Sequence, residues 1–344
     1  MKQLRVLPAL AAFFALACGS DEPTPSAATG EKPAITLTLG AYTTPREAYG
    51  TAIIPAFVTY WKEKAGQDVT FEESYQASGA QARAVLEGFE ADVVALSLEP
   101  DIKKLEDASL VAPTWRHAAH GGMVSDSIAV IAVRPGNPKG IHDWADLARP
   151  DVEVLTPNVR TSGGAMWNVL AIYGAATRGH VAGVPKDDPA AAEAFLAKVI
   201  QRVKVMDKGA RESITTFESG VGDAAITYEN EVIVARLAGQ TMDYVVPSST
   251  ILIENPAAVV DGYAKKRGTE EVAKGFVEFL HGTEAQTAFA KYGQRPVDPS
   301  VATDLPPVSD LFTVADLGGW SGVAASVFDK GAGYDRAAAL AEGR

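Results

Sequence analysis

The sequence predicts an α/β protein of two lobes, each an open, mainly parallel sheet with flanking helices, joined by a two-stranded hinge. Three observations carry this. Residues 35–96 read strand–helix–strand–helix–strand, and a second alternating run extends from Asp126 to Tyr228. The chain crosses between the two runs twice, forward near 123–134 and back near 245–256. With 344 residues, 47% of them hydrophobic, each lobe has enough apolar side chains for its own core.

Ile35–Gly40 alternates as a strand and leads into a helix from Arg46 to Lys64. A strand at Val69–Tyr75, a helix at Gly79–Gly88 and a buried strand at Asp92–Leu96 follow. The second run begins with SIAVIAVRPGNP after Asp126. It continues as a strand at Val152–Thr156, a helix at Ser162–Ala176, a strand at Val203–Met206, a helix from about Glu212 and a strand at Ala224–Tyr228. VVPSSTILIENPAAVV reads as the returning strand, and residues 269–291 as one helix. On this pattern residues 34–122 and 252–344 form lobe I, and residues 123–251 form lobe II. Ligands of open α/β sheets bind beyond the carboxyl ends of the strands, so the cleft between lobes is the expected site.

The N-terminus reads as an export signal. Lys2 and Arg5 precede an apolar stretch, Val6–Ala17, too short to span a membrane but suited to a signal-peptide core. It ends Ala15-Leu16-Ala17-Cys18-Gly19, which resembles a bacterial lipoprotein processing site, with Ala15 where leucine is usual. Cys18 is then the lipidated new N-terminus; an inert buried cysteine is the alternative. Residues 18–33 lack large apolar side chains and read as a tether.

Composition excludes several function classes. Lys and Arg total 31 against 43 Asp and Glu, a formal net charge of −12 that repels nucleic acid and anionic lipid. Loss of Lys2 and Arg5 with the leader deepens it. A single cysteine excludes a disulfide framework or a multi-thiolate metal site. His117 and His120 have the spacing of one helical face but no carboxylate partner in a metal-binding pattern, so no metal and no cofactor is expected. Neither a G-x-S-x-G elbow nor a Walker loop is present, which leaves an exported ester hydrolase without a nucleophile and base. Glu229-Asn230-Glu231 reads as hydrogen-bonding residues at a strand end, and Lys103-Lys104 with Glu106-Asp107 as a solvated helix face. Arg46 and Glu47 read as a pair at a helix start.

Three strand-to-helix loops share one chemistry. Gln76-Ala77-Ser78-Gly79 places Ser78 at an N-cap, Thr161-Ser162-Gly163-Gly164 repeats the arrangement, and Lys208-Gly209-Ala210-Arg211 precedes another helix. Each offers free N–H groups and the positive end of a helix dipole. Ordinary capping explains any one of them; three converging on one cleft would make an anion site without a cationic side chain.

The ordered set of motifs resembles the bacterial sulfate-binding proteins, soluble receptors of ATP-driven sulfate and thiosulfate importers. It runs from Ala41-Tyr42-Thr43-Thr44-Pro45-Arg46-Glu47 through Ala77-Ser78-Gly79, Ala91-Asp92-Val93-Val94, Asp143-Trp144-Ala145-Asp146-Leu147 and Thr161-Ser162-Gly163-Gly164. Gly209-Ala210-Arg211, Tyr228-Glu229-Asn230-Glu231, Arg295-Pro296-Val297 and Gly318-Gly319-Trp320 complete it. The resemblance implies a type II periplasmic-binding-protein fold that closes on one dehydrated sulfate held by neutral donors. The implied donors are the Thr43 N–H, the hydroxyl and N–H of Ser78, Ser162, Gly163, Gly164, the Ala210 N–H and Tyr228. Arg211, and Arg46 beside the first loop, are implied supports. The implied partners are the permease and ATPase subunits of an importer.

Two positions depart from that family. It commonly has aspartate where this chain has Thr43, and tryptophan where it has Tyr228. An indole only donates, whereas a phenol also accepts, so Tyr228 is expected to relax discrimination against phosphate. A purely structural core tyrosine is the alternative. Thiosulfate, molybdate, tungstate and phosphate are the other oxyanions such a site could take.

Overall fold

The computed structural model describes residues 32–343. The leader, Cys18 and all but the last two tether residues therefore lie outside the described residues. Lys32 and Pro33, expected in the tether, already belong to the first strand.

The N-terminal unit opens with β1 (Lys32–Tyr42), a short helix α1 (Arg46–Ala48), one π-helical turn at Tyr49–Ile53, and α2 (Ile54–Ala65). Gly66 ends α2 in the left-handed conformation, φ 64°, which a side chain would disfavour. Then come β2 (Gln67–Gln76), α3 (Ser78–Leu86), β3 (Val93–Ala95) and α4 (Glu99–Asp107). β1 pairs in parallel with β2 on one side and β3 on the other. Strands buried on both faces need apolar cover on both, and Leu37, Leu39 and Phe57 pack on one side while Val94, Leu96 and Ile102 pack on the other.

The crossing strand β4 (Met123–Val133) enters the central unit. There β5 (Val154–Leu155), α5 (Gly163–Thr177), α6 (Pro189–Ile200), β6 (Val203–Val205), α7 (Ala210–Glu218), β7 (Ala224–Tyr228), α8 (Glu229–Leu237) and β8 (Asp243–Val245) follow. β9 (Ser249–Val259) returns, and α9 (Asp261–Arg267), α10 (Glu270–Leu280) and α11 (Thr283–Lys291) pack on the N-terminal unit. The strands run in the order β2-β1-β3-β9-β4-β7-β5-β6. Residues 123–128 of β4 pair antiparallel with β9, and residues 129–133 pair with β7. β9 likewise pairs with β4 mid-strand and with β3 at its end. Each crossing strand thus starts in one unit's sheet and ends in the other's.

Several expectations need correction. The single helix over 269–291 is two, α10 and α11, because Gly282 turns extended (φ −77°, ψ 154°) between them. Glu229-Asn230-Glu231 opens α8 rather than ending a strand. His117 closes a 3-10 turn and His120 sits at φ 53°, so the two do not share a helical face. α6, capped by the Asp188 carboxylate on the Ala191 N–H at 3.0 Å, stands outside the expected elements.

The C-terminal assignment also changes. β10 (Asp310–Phe312) pairs in parallel with residues 249–251 of β9, and α13 (Gly333–Ala341) lies on α6; the short α12 (Gly319–Val323) lies between them. Phe312, Val323 and Val327 belong to the core of the central unit. Residues 310–343 therefore complete the central unit and not lobe I. The cause is packing: Phe312 fills the space over Gly174, where a Cβ would come within 2.4 Å of its ring.

Candidate ligand-binding site

β1, β2 and β3 are parallel, so their carboxyl ends open on one edge and deliver Thr43, Ser78 and Ser97 there. β5, β6 and β7 are parallel in the central unit and deliver Ser162 with Gly164, Ala210, and Tyr228. These residues, with Tyr42, Thr44 and Ala77, line a small cavity of about 10 Å³. No charged side chain lines it. Three helices start at its wall: α3 at Ser78, α5 at Gly163 and α7 at Ala210. Their first-turn N–H groups have no carbonyl of the helix to bond and carry the positive end of the dipole.

The candidates divide on closer view. Ser162 caps α5, its Oγ accepting the Ala165 N–H at 3.3 Å, which leaves its proton free for the cavity. Ser78 is not a cap: Ala77 is, and the Ser78 hydroxyl donates to Asp101 Oδ2 at 2.6 Å while accepting the Ser97 N–H at 3.0 Å. Its side chain is thus committed behind the wall, and its N–H remains as the donor. Gly163 lies outside the lining. A Cβ there would meet Ser97 Oγ at 2.7 Å, so its smallness lets the two units touch. Gly164 does line the cavity, and a Cβ there would meet Tyr228 Cε2 at 2.9 Å and Ala210 Cβ at 3.1 Å.

Arg46 does not pair with Glu47. Its guanidinium lies over the Tyr75 ring, 5.4 Å from the centroid. Glu47 instead holds Arg211, which also binds Glu231 through Nε at 2.7 Å and the Thr44 carbonyl at 3.4 Å. Burial pushes the Glu231 carboxyl up, against the pull of Arg211. Burial would also raise Glu47, but the Arg211 hydrogen bond and charge hold it below the usual carboxylate range. Arg211 thus braces the loop at Ala210 without entering the cavity.

Tyr42, Thr44, Ala77 and Ser97 are the lining residues that sequence reasoning did not assign to the site. Ser97 directly follows the buried strand expected at Asp92–Leu96, and the carboxyl-end rule was the signal that could have found it. All its polar groups are engaged. Besides its N–H, its carbonyl accepts Trp167 Nε1 at 2.9 Å and Asn255 Nδ2 at 3.2 Å, and its Oγ lies 2.7 Å from Tyr228 Oη. Tyr42 Oη is buried and makes no hydrogen bond of normal geometry. Among the described residues, no cluster of three His, Cys, Asp or Glu could hold a metal ion.

Two α/β units meeting across strand ends, with a small polar cavity between them and no nucleophile–base pair in its wall, define a binding protein of the periplasmic type II class. Residues 37–295 match the family model described as bacterial extracellular solute-binding protein, and the chain belongs to that family. It is 42% identical over 334 residues to the sulfate-binding protein of Synechococcus elongatus, covering 95% of this chain and 93% of that one. It is 35% identical to the thiosulfate-binding protein of Escherichia coli, covering 92% and 94%. The solved sulfate-binding protein SubI of Mycobacterium tuberculosis superposes with a TM-score of 0.76 at 38% identity, covering 86% of this chain and all of that one.

Proposed function

We propose that this chain captures sulfate between its two units and hands it to an ATP-driven importer, making and breaking no covalent bond. One observation carries the reading: the cavity is walled by helix-start N–H groups and hydroxyls and contains no charged side chain. Sulfate near neutral pH carries no proton and offers only acceptors, which such a donor set matches. Oriented dipoles that need no reorganisation replace its hydration. Thr43, Ser78, Ser162, Gly164, Ala210 and Tyr228 are the contacting residues in this reading, and Gly163 and Arg211 support them.

The mechanism is hinge closure. β4 and β9 act as the hinge between an N-terminal lobe that includes α9–α11 and a central lobe that includes residues 310–343. Ligand resting on one lobe recruits the donors of the other, and the Arg211–Glu47 and Trp167–Ser97 contacts fasten the closed form. The protein works outside the cytoplasm, held by a lipid on Cys18. Replacing Cys18 with serine is expected to release it from the membrane fraction.

Titration calorimetry tests the main reading. Sulfate is expected to bind one-to-one and to raise the melting temperature, and thiosulfate, molybdate and phosphate belong in the same panel. Failure of every one of these oxyanions to bind would overturn it.

A further inference from the structure

The antiparallel ladder between β3 and β9 pairs Val93 with Val259, Val94 with Ala258 and Ala95 with Ala257. The Leu96 N–H then donates to the Pro256 carbonyl at 3.0 Å, which carries the pairing one step further. Asn255 stands at the next step, and its Nδ2 donates to the Ser97 carbonyl at 3.2 Å. It is also in register with Ser125 of β4, so it occupies the point where β9 leaves the N-terminal sheet. The Ser97 carbonyl accepts Trp167 Nε1 as well, at 2.9 Å, and the two donors fill both of its lone pairs. Their origins differ. Asn255 reaches Ser97 within the sheet of the N-terminal unit, whereas Trp167 comes from α5 across the cleft. α5 begins with Gly163 and Gly164, one turn before Trp167, so one helix carries both a piece of the cavity wall and this indole. Asn255, Ser97 and Trp167 are all buried, and Asn255 Oδ1 has no hydrogen-bond partner. An unmatched buried amide oxygen is costly, and an apolar side chain would avoid that cost. What the amide contributes in return is the bond of its nitrogen to Ser97.

We infer that Asn255 is a positioning residue for closure: it fixes the Ser97 carbonyl where the Trp167 indole docks when the units meet. This rests on the reading of the protein as a receptor that closes on sulfate. Opening breaks the Trp167 bond, because its two ends belong to different units, and leaves the Asn255 bond inside one unit. The acceptor then waits in place, and closure needs no rearrangement at residue 97. Asn255 does not line the cavity, so its effect is on the lifetime of the closed form and not on contact with the anion.

The test is a double-mutant cycle on the full folded chain, read as release of radiolabelled sulfate into an excess of unlabelled sulfate. Trp167→Phe, or Trp167→Met if that folds better, deletes the indole N–H and should speed release about 10-fold. Asn255→Ala should speed it about 5-fold in wild type, but less than about 2-fold once the indole N–H is gone. That non-additivity is the mark of a residue acting through Trp167. A loss of packing alone would give the same factor in both backgrounds, and that result overturns the inference. So does an Asn255→Ala chain that releases sulfate at the wild-type rate. Asn255→Leu removes the donor at nearly constant volume and should repeat the pattern, which keeps the test open if the alanine variant folds poorly. Wild type that binds no sulfate overturns the receptor reading itself, and this inference with it.

Discussion

Arg211 and Glu47 reach each other from opposite sides of the cleft and form a two-bonded ion pair, Nη1 to Oε1 at 2.6 Å and Nη2 to Oε2 at 2.9 Å. The same guanidinium neutralises Glu231, which is fully buried. Its two partners therefore predict different consequences. Arg211→Met leaves Glu231 buried without its cation and should cost about 3–5 kcal/mol in urea denaturation. Glu47→Gln keeps that inner pair, so its cost should stay near 1 kcal/mol or below. Its effect should show instead as sulfate affinity weakened about 10-fold, since the contact exists only when the units meet. Equal losses of stability in the two variants would argue against this division.

Gly164→Ala should nearly abolish ligand binding while leaving a folded protein. The added methyl comes within 2.9 Å of the Tyr228 ring and 3.1 Å of Ala210 Cβ, so the cavity wall must shift. A loss of affinity of about 100-fold is expected by calorimetry, because binding geometry tolerates small displacements poorly. Unchanged affinity would mean that the ligand lies elsewhere.

How much of this was readable in advance follows from how local each signal is. The alternation of strands and helices is written in nearby side chains, and so are the starts of α5 and α7 at Ser162 and Gly209-Ala210. The six strand ends that converge on the cavity follow from parallel pairing, which the alternation already implies. What escaped the reading depends on distant partners. Glu47 sits beside Arg46 in the chain, yet it pairs with Arg211, which the fold brings opposite it. Ser78 has the look of a cap, but the Asp101 carboxylate, 23 positions on, captures its hydroxyl. Phe312 gives no local sign that Gly174 leaves a space of its size.

The hinge strands carry a pH dependence. Asp126 on β4 is paired directly opposite Glu254 on β9. Burial first, and the Glu254 charge second, push the Asp126 carboxyl up to about 7, against the pull of Arg295. A folded-state value above the unfolded value of about 3.9 means that the neutral carboxyl is favoured by folding. That contribution is complete below about pH 4 and is lost as pH rises through 7. Asp126→Asn removes the ionisation. In urea denaturation the variant should gain on wild type between pH 5 and pH 8, and a difference that stays flat over this range would contradict the assignment.

Ionic strength separates dipolar from ionic recognition. The chain carries a net charge of −12, and the cavity wall holds no charged side chain. Sulfate affinity should therefore change less than about 3-fold when sodium chloride rises from low to physiological concentration. A site built on exposed lysines would weaken far more steeply. Association should become slightly faster with salt, because screening reduces the repulsion of an anion by an acidic surface.

The return of residues 310–343 to the central unit makes that unit discontinuous in the order of synthesis. Phe312 covers Gly174, and Trp320 lies edge-on to Trp167 at 5.0 Å, the residue that reaches across the cleft to Ser97. The receiving half of the receptor consequently cannot finish its core until the last part of the chain has emerged. A nascent or truncated chain that ends before Asp310 has an N-terminal half ready to meet solute but no finished jaw to close on it. Completion of the polypeptide and competence to hold cargo become a single event.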